Sequence, residues 1–258
     1  MRDGMSRVNI HIYQDLEALS KAVADQFTDI VVEAAKQYGR FTVALTGGNT
    51  VKDLYELLAF PPYIGKIDWA KGRFFWGDER MVPPDHPESN YGECHHLLLH
   101  HVGVKSENIY RIRGELEPLQ AVEDYQKRLR ENAFEGLVWP RFDLVLLGMG
   151  SDGHIASIFP GDSLGTEEDA AVIFTNAEYD GRPALRVSLT PLVFNSAKEI
   201  MFLVSGKNKA AILEKVLRGD GDPENYPALR IHPDNGEVTW FVDEEAASLL
   251  PKMYFDSR

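Results

Sequence analysis

DLVLLGMGSDGHIASIFPG, Asp143–Gly161, is the stretch on which the fold turns. It opens on an unbroken apolar run, Leu144 to Leu147, which reads as a strand buried on both faces of a parallel sheet. The run meets Gly148, Gly150 and Gly153, which spell G-x-G-x-x-G, and the turn carries Asp152 and His154. A dinucleotide cradle needs a helix straight after the glycines and an acidic residue about 20 positions on, at the end of a second strand. Here Pro160 and Gly161 stop the segment, and the acids in reach, Glu167 and Glu168, lie in a stretch without strand character. A nucleophile elbow around Ser151 would need glycine at 149, where Met149 stands. What remains is a histidine on a tight turn at a strand's end, either a structural residue bonded to backbone or a proton-transfer group. Such a group takes and returns a proton at neutral pH, with a neighbouring carboxylate to orient it.

Outward from this strand, strand and helix patterns alternate. VNIHIY (8–13) alternates apolar and polar residues; Asp15 to Tyr38 carries Leu16, Leu19, Val23, Phe27, Ile30, Val31 and Ala34 at helical spacing, with Gly39 as a stop. RFTVAL is a strand running into a glycine turn, and VKDLYELLA a helix ended by Pro61 and Pro62. RFFWGDER (73–80) reads as one strand ending in charge, followed by a proline-rich loop and a helix from about Asn90 to His101. Pro118 to Phe134 is another helix; ALRVSLT, EIMFLVSG and VTWFV are strands; KNKAAILEKVL is a helix and DEEAASLL a closing one. The reading is a single α/β domain over 1–258: an open, mostly parallel, Rossmann-like sheet flanked by helices. Ligands of such sheets sit beyond the carboxyl ends of the strands. TGGNT, GDER, GMGSDGH and SGKNKA all follow strands, which predicts that they share one edge.

Composition narrows the chemistry. The 258 residues are 44% hydrophobic and 26% charged, with a net charge of −13. That balance excludes a broad nucleic-acid surface, since phosphate backbones need a basic patch. Any phosphorylated ligand has to meet a locally positive pocket, which favours a small anion. One cysteine, Cys94, allows no internal disulfide. No signal-like core and no apolar run of about 18 residues is present, so a cytoplasmic protein without membrane partners is expected.

Three further motifs carry chemistry or mimic it. In LTGGNTVKDL, Gly47 and Gly48 precede a helix whose first N–H groups favour an anion, and Asn49 or Thr50 is placed to cap it, though a plain tight strand-to-helix turn accounts for the glycines equally well. In GDER, Arg80 offers a planar fork for phosphate or an oxyanion, although taken alone the Asp78, Glu79 and Arg80 triplet reads first as a surface charge cluster. In ECHHLLLHH, His96 and His100 have a metal-binding i,i+4 spacing, but Cys94, Leu97, Leu98 and Val102 form the buried face and leave both histidines toward solvent. The polar-face reading is preferred there, and no metal site is assigned.

Together, ALTGGNT, FFWGDERMVPPDHPESNYG, DLVLLGMGSDGHIASIFPG, LRVSLTPLVFNSA, FLVSGKNKA and YPALRIHPDNGEVTWFVDEEAA resemble, in order, blocks of the 6-phosphogluconolactonase family. The resemblance implies the fold of glucosamine-6-phosphate deaminases and ribose-5-phosphate isomerases, and hydrolysis of 6-phospho-D-glucono-1,5-lactone without a cofactor. It implies His154 as the base that activates water. It implies Arg80, Asp152 and Gly153 as substrate-binding residues, Gly47, Gly48, Asn49 and Thr50 as the phosphate loop, and Arg186 and Lys209 as phosphate-side cations. Asn49 and Val51 depart from the family's commoner serine and proline. The rivals are an isomerising deaminase, which should carry a glutamate where Phe159 stands, and a non-catalytic phosphosugar sensor. Monomer and homodimer both remain open.

Overall fold

The structure, a computed structural model, describes residues 8–254 apart from 135, 163–170, 177, 179, 180 and 234. The chain opens with β1 (Val8–Tyr13), α1 (Leu16–Tyr38), β2 (Phe41–Leu45), α2 (Lys52–Leu58) and β3 (Gly72–Trp76). Asp15 caps α1 by accepting the Ala18 N–H at 2.9 Å, a contact of about 1 kcal/mol. Leu19, Val23, Phe27 and Val31, one turn apart, are fully buried. Gly39, at φ 72°, ends the helix in the left-handed region that glycine enters without cost.

The middle of the chain holds β4 (Asp78–Arg80), α3 (Asn90–Cys94), β5 (Ile109–Tyr110), α4 (Pro118–Glu131), β6 (Leu144–Gly148), β7 (Val172–Asn176) and β8 (Leu185–Leu189). It closes with α5 (Pro191–Phe194), β9 (Glu199–Val204), α6 (Ala210–Arg218) and β10 (Glu237–Asp243). Seven strands form one parallel sheet in the order β1-β10-β9-β6-β2-β3-β5. Leu144 to Leu147 of β6 are wholly buried at its centre, as their unbroken apolar run predicts. Each such side chain contributes about 1.5–3 kcal/mol of burial. β2 leads away to β3 on one side, while β6 leads to β9 on the other. Their adjacent carboxyl ends are therefore the sheet's switch point, where a crevice opens between diverging loops.

Two expectations are corrected. Residues 73–80 are two strands, with β4 in a separate antiparallel sheet of order β4-β8-β7. Gly77 is the crossing point: its N–H donates to Leu45 of the large sheet at 2.8 Å and its carbonyl accepts from Leu189 of the small one at 2.8 Å. The adjoining apolar and charged runs concealed this change of sheet. The segment DEEAASLL is a chain of turns, with Asp243 accepting the Ala246 N–H at 2.7 Å, and not a helix. The Asp243 carboxylate, still within β10, takes the Ala246 N–H, and Pro251 then closes the segment.

At the opposite end of the large sheet, Glu199 and Glu237 are register partners on parallel neighbours. Glu199 Oε2 is buried with no hydrogen-bond partner among the described residues. Burial first, and Glu237 second, push the Glu199 carboxyl up to about 7. A carboxyl whose folded pKa lies above its unfolded 4.5 keeps a proton in the folded state that the unfolded chain has released, so stability falls as pH climbs from 4.5 through 7. Glu199→Gln is expected to stabilise the protein by about 1–3 kcal/mol at pH 8 and to change little at pH 4. Urea titrations at both pH values check this; an equal effect at the two would refute it.

Candidate active site

The four predicted loops do meet. One cavity of about 350 Å³ is lined by Gly47, Gly48, Asn49, Thr50, Arg80, His154, Arg186 and Lys209.

Local sequence explains how each loop is held. At the end of β2, Tyr55 donates its hydroxyl to the Thr46 carbonyl at 2.6 Å and accepts the Thr46 N–H at 3.3 Å. A Cβ on Gly47 would stand 1.9 Å from Asn90 Oδ1, so only glycine fits. Gly48 has φ 103°. Asn49 and Thr50 then lie in a single 3-10 turn, Asn49–Val51, ahead of α2, and neither side chain caps that helix. The capping role expected of them is thereby corrected, because the extra turn moves them upstream of the helix start.

The GDER segment splits its charges between support and site. Glu79 is 2% exposed and accepts four donors: the N–H groups of Arg80, Asn90 and Tyr91, each at 2.8 Å, and the Ser89 hydroxyl at 3.0 Å. Burial pushes its carboxyl up to about 7 against those donors, which favour the ionised form. Glu79 thus clamps the loop back to α3. Asp78 accepts the Ser157 hydroxyl at 2.5 Å and the Asn90 amide at 3.2 Å. Arg80 and Arg186 are direct cross-strand partners in the β4–β8 ladder. Glu88 holds the Arg80 Nη1 through its carbonyl at 2.8 Å and its carboxylate at 3.2 Å. Arg186 Nε donates to the Pro183 carbonyl at 3.1 Å. Arg80 Nε and Arg186 Nη2 are buried with no partner among the described residues. Each guanidinium is anchored at one edge and has a donor to spare at the other, an arrangement suited to an anion.

The turn after β6 carries the candidate base. Asp152 Oδ1 lies 2.7 Å from His154 Nδ1 and accepts the His154 N–H at 3.1 Å. A Cβ on Gly150 would fall 2.1 Å from His154 Nδ1, and Gly153 has φ 89°. These glycines serve the approach of the histidine. The residues after them form a short bridge between Ile155 and Ile158 where a dinucleotide fold has a helix. The acids Glu167 and Glu168 lie outside the described residues. Burial alone would raise the Asp152 carboxyl, but the hydrogen bonds and charge of His154 outweigh it and hold Asp152 below the usual carboxylate range. An ionised carboxylate only accepts, so the neutral form of the ring carries its hydrogen on Nδ1 and its lone pair on Nε2.

The loop after β9 completes the wall. Asp243 accepts the Ser205 hydroxyl at 2.5 Å and the Gly206 N–H at 3.0 Å, which sets up the 3-10 turn Lys207–Lys209. Burial lowers the Lys209 ammonium, and the charge of Asp152 opposes that shift.

Sequence reasoning missed Asn90, Arg182 and the supports Ser157, Glu88 and Asp243. Asn90 and Arg182 line the cavity. No spacing rule connects residues this distant in the chain; the NYG run after the proline loop was the only signal for Asn90. Arg80, Arg182, Arg186 and Lys209 make the cavity a cationic patch on a chain of net charge −13. His96 and His100 are exposed on the α3 extension, away from this cavity, with Cys94 and Leu98 buried beneath them.

The chain is similar over most of its length to proteins of one kind. It is 41% identical over 208 residues to 6-phosphogluconolactonases of Aggregatibacter actinomycetemcomitans and Haemophilus influenzae, covering 81% of this chain and 87% of each relative. The structure of 6-phosphogluconolactonase from Trypanosoma brucei superposes with a TM-score of 0.83 at 28% identity, over 96% of this chain and 100% of that one. A monomeric glucosamine-6-phosphate deaminase shares the fold, with a TM-score of 0.80 at 23% identity over 94% of this chain and 100% of its own. The model of the glucosamine-6-phosphate isomerases/6-phosphogluconolactonase family matches residues 14–240, and the chain belongs to that family.

Proposed function

We propose that this protein hydrolyses 6-phospho-D-glucono-1,5-lactone to 6-phospho-D-gluconate, a step of the oxidative pentose phosphate pathway, in the cytoplasm. The observation that carries this reading is the Asp152-oriented His154 in a cavity with four cations. A δ-lactone is a cyclic ester, and water must attack its C1. His154 Nε2 takes a proton from that water as the new C1–O bond forms. The tetrahedral oxyanion then collapses, the bond from C1 to the ring oxygen breaks, and the imidazolium returns the proton to that oxygen. Asp152 stabilises the transient imidazolium. No electrons are transferred, and protein side chains supply the proton relay.

Arg186, Lys209 and the Gly47–Thr50 turn hold the phosphate in this scheme, with Arg80 on the substrate beside Arg186. Binding energy at the phosphate, remote from C1, keeps the reacting carbonyl against His154. Phe159 occupies the place where the deaminase pattern requires a carboxylate, which favours hydrolysis over deamination.

The test is hydrolysis of freshly prepared 6-phosphoglucono-δ-lactone, with and without EDTA, after subtraction of spontaneous opening. Rapid EDTA-insensitive hydrolysis is expected. The thermal midpoint is expected to rise with 6-phosphogluconate and not with gluconate. No acceleration of hydrolysis would overturn the enzymatic reading, and equal shifts with both acids would overturn the phosphate site.

A further inference from the structure

We infer that Phe159 is a positioning residue of this site, its ring packing against the His154 imidazole, favouring its protonated form and offering the same aromatic group to the Arg186 guanidinium. The inference rests on the hydrolytic reading above. The ring centroids of Phe159 and His154 are 4.6 Å apart at an interplanar angle of 35°. The Arg186 Cζ stands 5.3 Å from the same Phe159 centroid. Phe159 is only 6% exposed. An aromatic face attracts cations within about 6 Å of its centroid. Phe159 therefore touches one permanent cation and one group that becomes a cation during turnover.

Arg186 and the imidazolium both carry positive charge in a poorly screened cavity, where like charges repel strongly. With the ring, the positive charge gained by His154 meets the negative π face as well as the Asp152 carboxylate. The backbone is built to put the ring there. Ile155 and Ile158 exchange hydrogen bonds at 3.3 and 2.9 Å, closing a tight turn. Within it Ala156 takes φ 47°, a left-handed conformation that costs a non-glycine residue about 1–2 kcal/mol. Beyond the turn the Phe159 N–H donates to Asp162 Oδ2 at 2.9 Å, and Gly161 donates to the Glu224 carbonyl at 2.8 Å. The ring's mounting thus extends into the 219–228 loop.

Phe159→Leu keeps an apolar side chain of similar reach and removes the π face. The charged groups around His154 remain in place: Asp152 from its own turn, Lys209 from the turn after β9, Asp78 and Arg80 from β4, and Arg182 and Arg186 from β8 and the segment before it. Loss of the face disfavours the imidazolium, so the proton leaves at lower pH. The acid limb of the kcat profile is expected to move down by about one pH unit, with a smaller change in KM. The His154 ring signal, titrated by NMR in the resting protein, is expected to move the same way. Phe159→Glu is expected to do the opposite: the titration rises by about a unit or more, and 6-phosphogluconate binds about tenfold more weakly because Arg186 is paired. A Leu variant whose NMR titration superimposes on that of the parent would overturn the inference, whatever its activity. NMR shifts in a parent that fails to hydrolyse the lactone would keep the positioning role and remove the hydrolytic reading.

Discussion

His154→Ala is expected to lower kcat for lactone hydrolysis by about 10³-fold, the middle of the range that loss of a general base produces, with KM within about threefold of the parent. The asymmetry follows from the geometry. The cations lining the cavity do not depend on the imidazole, so 6-phosphogluconate should still raise the thermal midpoint of the variant. The turn itself is held by backbone, with the Gly150 N–H donating to the residue-154 carbonyl at 2.8 Å, and that bond survives the substitution. What is lost is the Nε2 lone pair and the partner of Asp152. The sign of the acid dependence also follows. The depressed Asp152 carboxyl contributes stability that is present above its unfolded value of 3.8 and lost as pH falls through its lower folded value. The variant should therefore show a shallower loss of stability in acid than the parent. Retained turnover with normal binding would remove His154 from the chemistry.

The parts of this site that were legible in the sequence are those whose causes are local. A continuous apolar run has one comfortable place, the centre of a parallel sheet, and β6 is there. Glycines that follow a strand mark a turn, and the turns after β2, β6 and β9 fall at the switch point because strand-then-loop order fixes the edge. The illegible parts depend on contacts between distant segments. GDER reads as the end of a strand, yet Gly77 turns it into another sheet whose partner, β8, lies more than a hundred residues on. That second sheet is why Arg80 and Arg186 are neighbours, which neither motif hints at alone. Asn90 reaches Gly47 by lying over it, and Ser157 reaches Asp78, both across long stretches of chain. The charges of Asp78 and Glu79 looked like surface acids; their burial comes from the donors that fold back on them.

Arg186→Leu is expected to weaken 6-phosphogluconate binding by about 10²-fold or more, while the ligand-free protein melts no lower than the parent. Both halves have one cause. Arg186 is 2% exposed, its charge disfavoured by that burial, and its Nη2 has no hydrogen-bond partner among the described residues. A buried cation with an unmet donor destabilises the empty protein, and an apolar side chain of similar volume against Phe159 relieves that cost. The same unmet donor, beside that of Arg80 across the β4–β8 ladder, is what a phosphate would satisfy. Arg186→Lys should restore only part of the affinity, because a point charge cannot reproduce the planar fork held at Pro183. Isothermal titration with 6-phosphogluconate, together with melting curves of the ligand-free variants, separates the two effects. If the Leu variant lost thermal stability and affinity together, Arg186 would be a structural residue of the small sheet. If it kept full affinity, the phosphate would have to lie elsewhere in the cavity. The expected result, binding lost and stability kept, would show that the strain on Arg186 in the empty site is what the ligand relieves.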